Sequence, residues 1–260
     1  MIRLQNITKC YDQKAIISDL SIDFHKGKIT SIIGANGAGK STLLALASRL
    51  IKPDSGRIYI DGMNLTLYKE QDLAQKISIL KQQNHINLRL KVEELVAFGR
   101  FPHSQGRINL NDKMKIDEAL EYMGLNTLRN EFLDSLSGGQ KQRAFIAMII
   151  AQDAEFIMFD EPLNNLDMKH SVQIMQLMKN LVKDFSKSIA VVLHDINFAS
   201  IYSDEIIALK NGKLLKQGLK DEIIQEDVLR QIYDMDIPVS QIDGKKTCQN
   251  TYSNLKTSLV

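Results

Sequence analysis

The chain has 260 residues, 44% hydrophobic and 25% charged, enough for one large domain or two small ones with a sizeable core. Its 33 Lys and Arg against 31 Asp and Glu leave a net charge of +2, which argues against a nucleic-acid partner, because binders of the phosphate backbone carry a clear basic excess. The two cysteines, Cys10 and Cys248, show neither metal-ligand spacing nor a disulfide framework and read as reduced thiols.

Residues 1–10 lack the apolar stretch of a signal peptide. Alternation predicts strands over 2–8 and 20–24, and the apolar run ITSII predicts a buried strand over 29–33. A glycine-rich stretch follows, then an apolar helix over 42–50. Pro53-Asp54-Ser55-Gly56 and Asp61-Gly62 are turns that bracket a strand at 57–60. From about 88 to 151 the pattern is helical, with apolar spacing over 92–98, 113–123 and 139–151. Strands at 155–159, 189–193 and 205–209 then alternate with helices at 169–183 and 197–201. Asn211-Gly212 predicts a hairpin into 213–217. Such alternation predicts an α/β fold with a mostly parallel sheet. From Gln241 onward the chain reads as a loose polar tail. The longest apolar run near the middle, 145–151, is far short of the roughly 20 residues a membrane helix needs.

Gly34-Ala35-Asn36-Gly37-Ala38-Gly39-Lys40-Ser41 fits G-x-x-x-x-G-K-[ST], with an apolar strand before it and an apolar helix after it. The glycines let the backbone curl so that several N–H groups point at one phosphate, and the helix adds its positive end. Lys40 supplies a point charge for the β- and γ-phosphates, and Ser41 a hydroxyl for Mg²⁺. The candidate nucleotide-binding positions here are Gly34, Asn36, Gly37, Ala38, Gly39, Lys40, Ser41 and Thr42. A second motif, residues 156–162, is an apolar strand ending in Asp160 and Glu161, where open α/β sheets carry their ligands. Asp160 suits Mg²⁺, and Glu161 suits the orientation and polarisation of an attacking water.

Leu136-Ser137-Gly138-Gly139-Gln140 has capping-box spacing, and its glycines leave open amides at a helix start, a second anion site. With Lys141-Gln142-Arg143 after it and Asp160 shortly beyond, the sequence resembles the ABC ATPases over about residues 1–235. That resemblance implies a P-loop NTPase (RecA-like) core, an antiparallel β subdomain and an α-helical signature subdomain at about 84–151, with 236–260 as a C-terminal tail. It implies that Tyr11 stacks on adenine. Gln82, or its neighbour Gln83, reaches the metal and senses the membrane partner. Ser137, Gly138, Gly139 and Gln140 receive nucleotide, Asp167 closes the loop that joins two protomers, and His194 contacts the γ-phosphate. Lys81, Asn164 and Asn165 depart from the usual family residues.

The resemblance further implies ATP and Mg²⁺ as ligands and a homodimer with two composite sites. It also implies a membrane permease as partner and, indirectly, an extracytoplasmic substrate-binding protein. The chain is expected at the cytoplasmic face of the membrane. The stretch from Glu94 to His103 is similar to ELVxxGRxPH of importers for iron–siderophore complexes and vitamin B12, and DEPLNNLDMKH is similar to the ferric-siderophore subgroup. Competing readings are a vitamin B12 or haem importer, an exporter, a non-transport ABC ATPase on DNA or the ribosome, and a nucleotide-gated scaffold. Glu161 and His194 argue against the scaffold.

Overall fold

A computed structural model describes residues 1–81, 88–164 and 166–248 and divides the chain into two units, 1–65 with 190 onward, and 66–189. The first unit opens with β1 (Ile2–Tyr11), β2 (Lys14–Phe24) and β3 (Ile29–Ile33). Next come α1 (Lys40–Ala47), β4 (Ser55–Ile60) and β5 (Met63–Asn64). An antiparallel sheet has the order β2-β1-β4-β5. Ile2 sits opposite Phe24 on one side and Ile60 on the other, and all three are buried. The 20–24 alternation marks only the end of β2, which starts at Lys14 after a tight turn. Asp12 and Gln13 in that turn both have positive φ.

The second unit carries α2 (Glu70–Lys76), β6 (Ile77–Leu80), α3 (Val92–Phe98), α4 (Phe101–Ser104) and α5 (Leu110–Tyr122). It continues with α6 (Gly138–Ala151), β7 (Phe156–Asp160) and α7 (Met168–Phe185). Strands β6 and β7 pair in parallel, and Phe156, Ile157, Met158 and Phe159 are fully covered. Helix α7 buries Ser171, Ile174, Met175, Met178 and Leu181, the spacing of one helical face. The helices α3, α5 and α6 pack on one another.

The boundary between the units falls within β8 (Ser188–Val192). Past it, the first unit resumes with α8 (Ile196–Tyr202), β9 (Glu205–Lys210), β10 (Lys213–Leu219), α9 (Lys220–Ile223) and α10 (Glu226–Tyr233). Strand β9 lies between β10, antiparallel, and β3, parallel. Leu193, just beyond β8, donates to the Ile32 carbonyl at 3.2 Å, which sets the next residue beside the end of β3.

The expectation of a loose tail from Gln241 is corrected over its described part. β11 (Val239–Ile242) and β12 (Lys245–Cys248) form an antiparallel hairpin around Asp243-Gly244, both with positive φ. The hairpin is tied to α8. The Asn197 side chain accepts from the Cys248 N–H at 2.7 Å and donates to its carbonyl at 3.2 Å, and Ser200 Oγ donates to the Lys246 carbonyl at 2.5 Å. Among the described residues no helix is long and apolar enough to cross a membrane.

Candidate functional site

In the first unit the buried strand β3 delivers the chain into the glycine loop. Gly34 has φ 148, and a Cβ there would stand 2.3 Å from the Leu209 carbonyl oxygen, so only glycine fits. Gly39 has φ 99 and caps α1, and a Cβ there would stand 2.7 Å from Ile17 Cδ1 and 2.9 Å from the Ile16 carbonyl oxygen. The loop is closed by Ala38 N donating to the Ala35 carbonyl at 3.1 Å and Gly212 N donating to the Ala38 carbonyl at 3.2 Å. Lys40 is 5% exposed, and its ammonium donates back to the carbonyls of Gly34 and Ala35 at 3.0 and 3.1 Å. The loop thus curls around its own cation, while Asn36, Gly37 and Ser41 are exposed and Thr42 is half-buried.

The same unit holds His194, exposed between Leu193 and Asp195. Asp195 caps α8 by accepting from Asn197 N at 2.7 Å. The Leu193–Ile32 bond brings this turn next to the strand that feeds the glycine loop. Tyr233, at the end of α10, lies near that loop. Burial pushes its phenol well above the usual range, and its Oη makes no well-formed hydrogen bond despite the nearby Gly34 amide. Tyr11 ends β1 half exposed, with Lys9 Nζ 5.5 Å from its ring centroid.

In the second unit β7 ends at Asp160, and Glu161 follows with φ 52, a left-handed conformation uncommon for a non-glycine residue. Asn164 Nδ2 donates to Glu161 Oε2 at 2.6 Å. The signature forms the capping box read from its spacing. Ser137 Oγ accepts from Gln140 N at 3.3 Å, and Gln140 Oε1 accepts from Ser137 N at 2.9 Å. Gly138 faces open space, whereas Gly139 lies against the His170 ring, where a Cβ would meet Cδ2 at 3.4 Å. Asp167 caps α7 through the His170 N–H, and His170 Nδ1 is 2.8 Å from Asp167 Oδ1. The His170 backbone and ring donors hold the Asp167 carboxyl below the usual carboxylate range.

Thus Gly34, Asn36, Gly37, Ala38, Gly39, Lys40, Ser41, Thr42, Tyr11 and His194 belong to one unit, and Ser137, Gly138, Gly139, Gln140, Asp160, Glu161 and Asp167 to the other. Gln82 and Gln83, and the departure at Asn165, lie outside the described residues. Residues given no site role from sequence also enter these sites. Asn164, read only as a departure from the family, and His170 each stand three residues from the carboxylate they hold, a spacing that could have flagged them. Tyr233 carried no such signal.

In the stretch from Glu94 to His103, Leu95, Val96, Gly99 and Arg100 are buried, whereas Glu94, Phe98, Phe101 and His103 are exposed. Gly99 passes so close to Met148 that a Cβ would stand 2.1 Å from its carbonyl oxygen. Arg100, 3% exposed, pairs with Asp112, 1% exposed, at 2.9 Å and donates to the Ala151 carbonyl at 2.8 Å. His103 Nε2 lies 2.9 Å from the Gln152 carbonyl, and the Pro102 carbonyl accepts from Gln71 and Gln75.

A curled glycine loop over a buried lysine, fed by a strand and capped by a helix, defines the fold as that of a P-loop NTPase. The family described as ABC transporter matches residues 17–164, and the chain belongs to that family. It is similar to the petrobactin import ATP-binding protein YclP of Bacillus subtilis (strain 168), 56% identical over 246 residues, 95% of this chain and 98% of that protein. It is also similar to the iron(3+)-hydroxamate import ATP-binding protein FhuC of the same organism, 39% identical over 88% of this chain and 86% of that one. Among solved structures, it is similar to a dimeric post-hydrolysis state of an ATP-binding cassette bound to ADP and Pi. That likeness has a TM-score of 0.75 and 32% identity over 85% of this chain and 99% of the other.

Proposed function

We propose that this chain is the ATP-hydrolysing subunit of a ferric-siderophore importer, working as a homodimer against a membrane permease at the cytoplasmic face. The observation that carries the reading is the 56% identity to a petrobactin import ATP-binding protein across 95% of the chain. The hydroxamate importer subunit supports iron chelates as the cargo class. A substrate-binding protein outside the membrane delivers the chelate to the permease, so cargo never touches this chain. The near-neutral charge supports the absence of a nucleic-acid partner.

Lys40 exchanges its Gly34 and Ala35 carbonyls for β- and γ-phosphate oxygens, and the loop amides at 36–42 receive the rest of the phosphate chain. Tyr11 stacks on adenine. The partner's Ser137, Gly138 and Gly139 turn their helix start toward the γ-phosphate, with Gln140 fixing that cap and Asp167 contributing at the dimer seam. Glu161 takes a proton from the attacking water as the new oxygen–phosphorus bond forms and the bond to the bridging oxygen breaks. His194 hydrogen-bonds the γ-phosphate as that charge redistributes. Loss of the γ-phosphate removes the attraction between protomers, and the dimer opens.

Mg²⁺ supplies charge neutralisation on the phosphates when bound. The residues that would hold it offer hard oxygens, the Ser41 hydroxyl and the Asp160 carboxylate, with Gln82 or Gln83 as a third. No group of three or more His, Cys, Asp or Glu forms a metal cage among the described residues. Hard oxygen donors of this kind suit an ion that keeps most of its shell as water and phosphate oxygens.

The test is uptake of radiolabelled ferric siderophores, petrobactin first, in cells carrying Lys40→Ala. Uptake falling to the level of a deletion strain is expected. Unchanged uptake of each iron chelate tried would overturn import while leaving the ATPase reading intact.

A further inference from the structure

We infer that Asn164 is a positioning residue for ATP hydrolysis, its side-chain amide aiming the Glu161 carboxylate at the attacking water. The inference rests on the role given to Glu161 above. Three observations within one unit carry it. Glu161 leaves β7 in the left-handed region, so its side chain departs from a strained backbone position that the following turn must hold. Asn164 closes that turn, its N–H donating to the Glu161 carbonyl at 3.3 Å. The same residue then reaches the reactive end, with Nδ2 donating to Glu161 Oε2 at 2.6 Å.

A second hold comes from the signature helix. Gln142 of α6 donates through Nε2 to the Pro162 carbonyl at 3.2 Å, next to Glu161 in the chain. The turn is therefore gripped from within by Asn164 and from the side by Gln142.

The chemistry explains why the grip matters. A general base works only when a lone pair lies along the line of the proton it takes. A glutamate side chain has three rotatable bonds, and a free carboxylate sweeps its oxygens through many directions. An amide donor on Oε2 fixes the carboxylate plane and so the direction of the other oxygen. Asn164 is exposed in the single chain, where water competes for the bond. Covering by a second protomer would strengthen the bond by excluding that water. Asn164 was one of the departures from the usual family residues, and this bond gives the departure a purpose.

The test uses the full-length protein assembled with its permease. Phosphate release is compared for wild type, Glu161→Gln, Asn164→Ala and Asn164→Asp, with kcat and KM separated. Asn164→Ala is expected to lower kcat by roughly tenfold or more with KM within about twofold, as expected for a misaimed group. Asn164→Asp has the same shape but sets an acceptor against a carboxylate, and it is expected to fall at least as far. A residue that merely shaped the turn would tolerate Asp, so wild-type kcat in Asn164→Asp would overturn the inference even if the alanine variant folds poorly. Wild-type kcat in Asn164→Ala would overturn it equally. Inactive Glu161→Gln beside a fully active Asn164→Ala sinks only this inference, whereas a fully active Glu161→Gln sinks the role of Glu161 itself.

Discussion

The Lys40 ammonium lies 3.0 Å from the Gly34 carbonyl oxygen, so the cation is held over the glycine loop. On the proposed function, incoming phosphate displaces that carbonyl and the one of Ala35. Lys40→Ala should lower phosphate release by about two to three orders of magnitude, the usual cost of losing one preorganised donor. Lys40→Arg should not rescue it, because the slot is almost fully enclosed and the guanidinium is a broad planar fork. Phosphate release and nucleotide binding by the purified variants check both statements.

The Arg100–Asp112 pair is the second target. Burial works to raise the Asp112 carboxyl, but the Asn109 amide and Arg100 outweigh it and hold it below the usual range. Asp112→Ala leaves a buried guanidinium without its counter-charge, and the expected loss is about 3–5 kcal/mol. Urea unfolding of the variant against wild type measures it. Replacing both residues by apolar ones should recover much of the loss, because the desolvation cost leaves with the charges.

The hairpin of β11 and β12 offers a chemical reporter. Burial, followed by Asp195, pushes the Cys248 thiol up to about 11, so little thiolate is present at neutral pH. Asn197→Ala removes both bonds to the Cys248 main chain, at an expected cost of about 1–3 kcal/mol. Cys248 should then react faster with an alkylating reagent than in wild type, with half-buried Cys10 as the internal reference. Equal Cys248 rates in the two proteins would mean the hairpin is not held by Asn197.

Acid stability should depend on Glu205. Burial tends to raise its carboxyl, but hydrogen bonds from Lys28 at 2.5 Å and His25 at 2.7 Å prevail and hold it below the usual range. A depressed folded value means the stabilisation is fully present above the ordinary glutamate value. It is lost as pH falls through the folded one. Glu205→Gln should therefore be less stable than wild type at neutral pH and should show a smaller further loss on acidification below about pH 4.3. Thermal midpoints across that window give the comparison.

Much of this was legible in the residues. The glycine loop declared itself because φ beyond +90° at Gly34 and Gly39 leaves no alternative residue. The capping box at Ser137 and Gln140 formed as its spacing implied. Asn211-Gly212 gave its hairpin, yet the equivalent Asp243-Gly244 was overlooked because the polar residues around it masked an identical turn chemistry. Helix α10 was likewise missed, though Val228, Leu229 and Ile232 mark one face. Contacts such as Asn164 to Glu161 depend on the direction of one side chain, which spacing suggests but does not determine.

The segment around Gly99 and Arg100 resembles importers of iron–siderophore complexes and vitamin B12 in sequence, and in the structure its glycine and arginine form an internal fastening. A stretch like this can serve as a badge of lineage for a helical scaffold without sensing what crosses the membrane. Editing Gly99 or Arg100 would risk unfastening the helix that begins with Gly138.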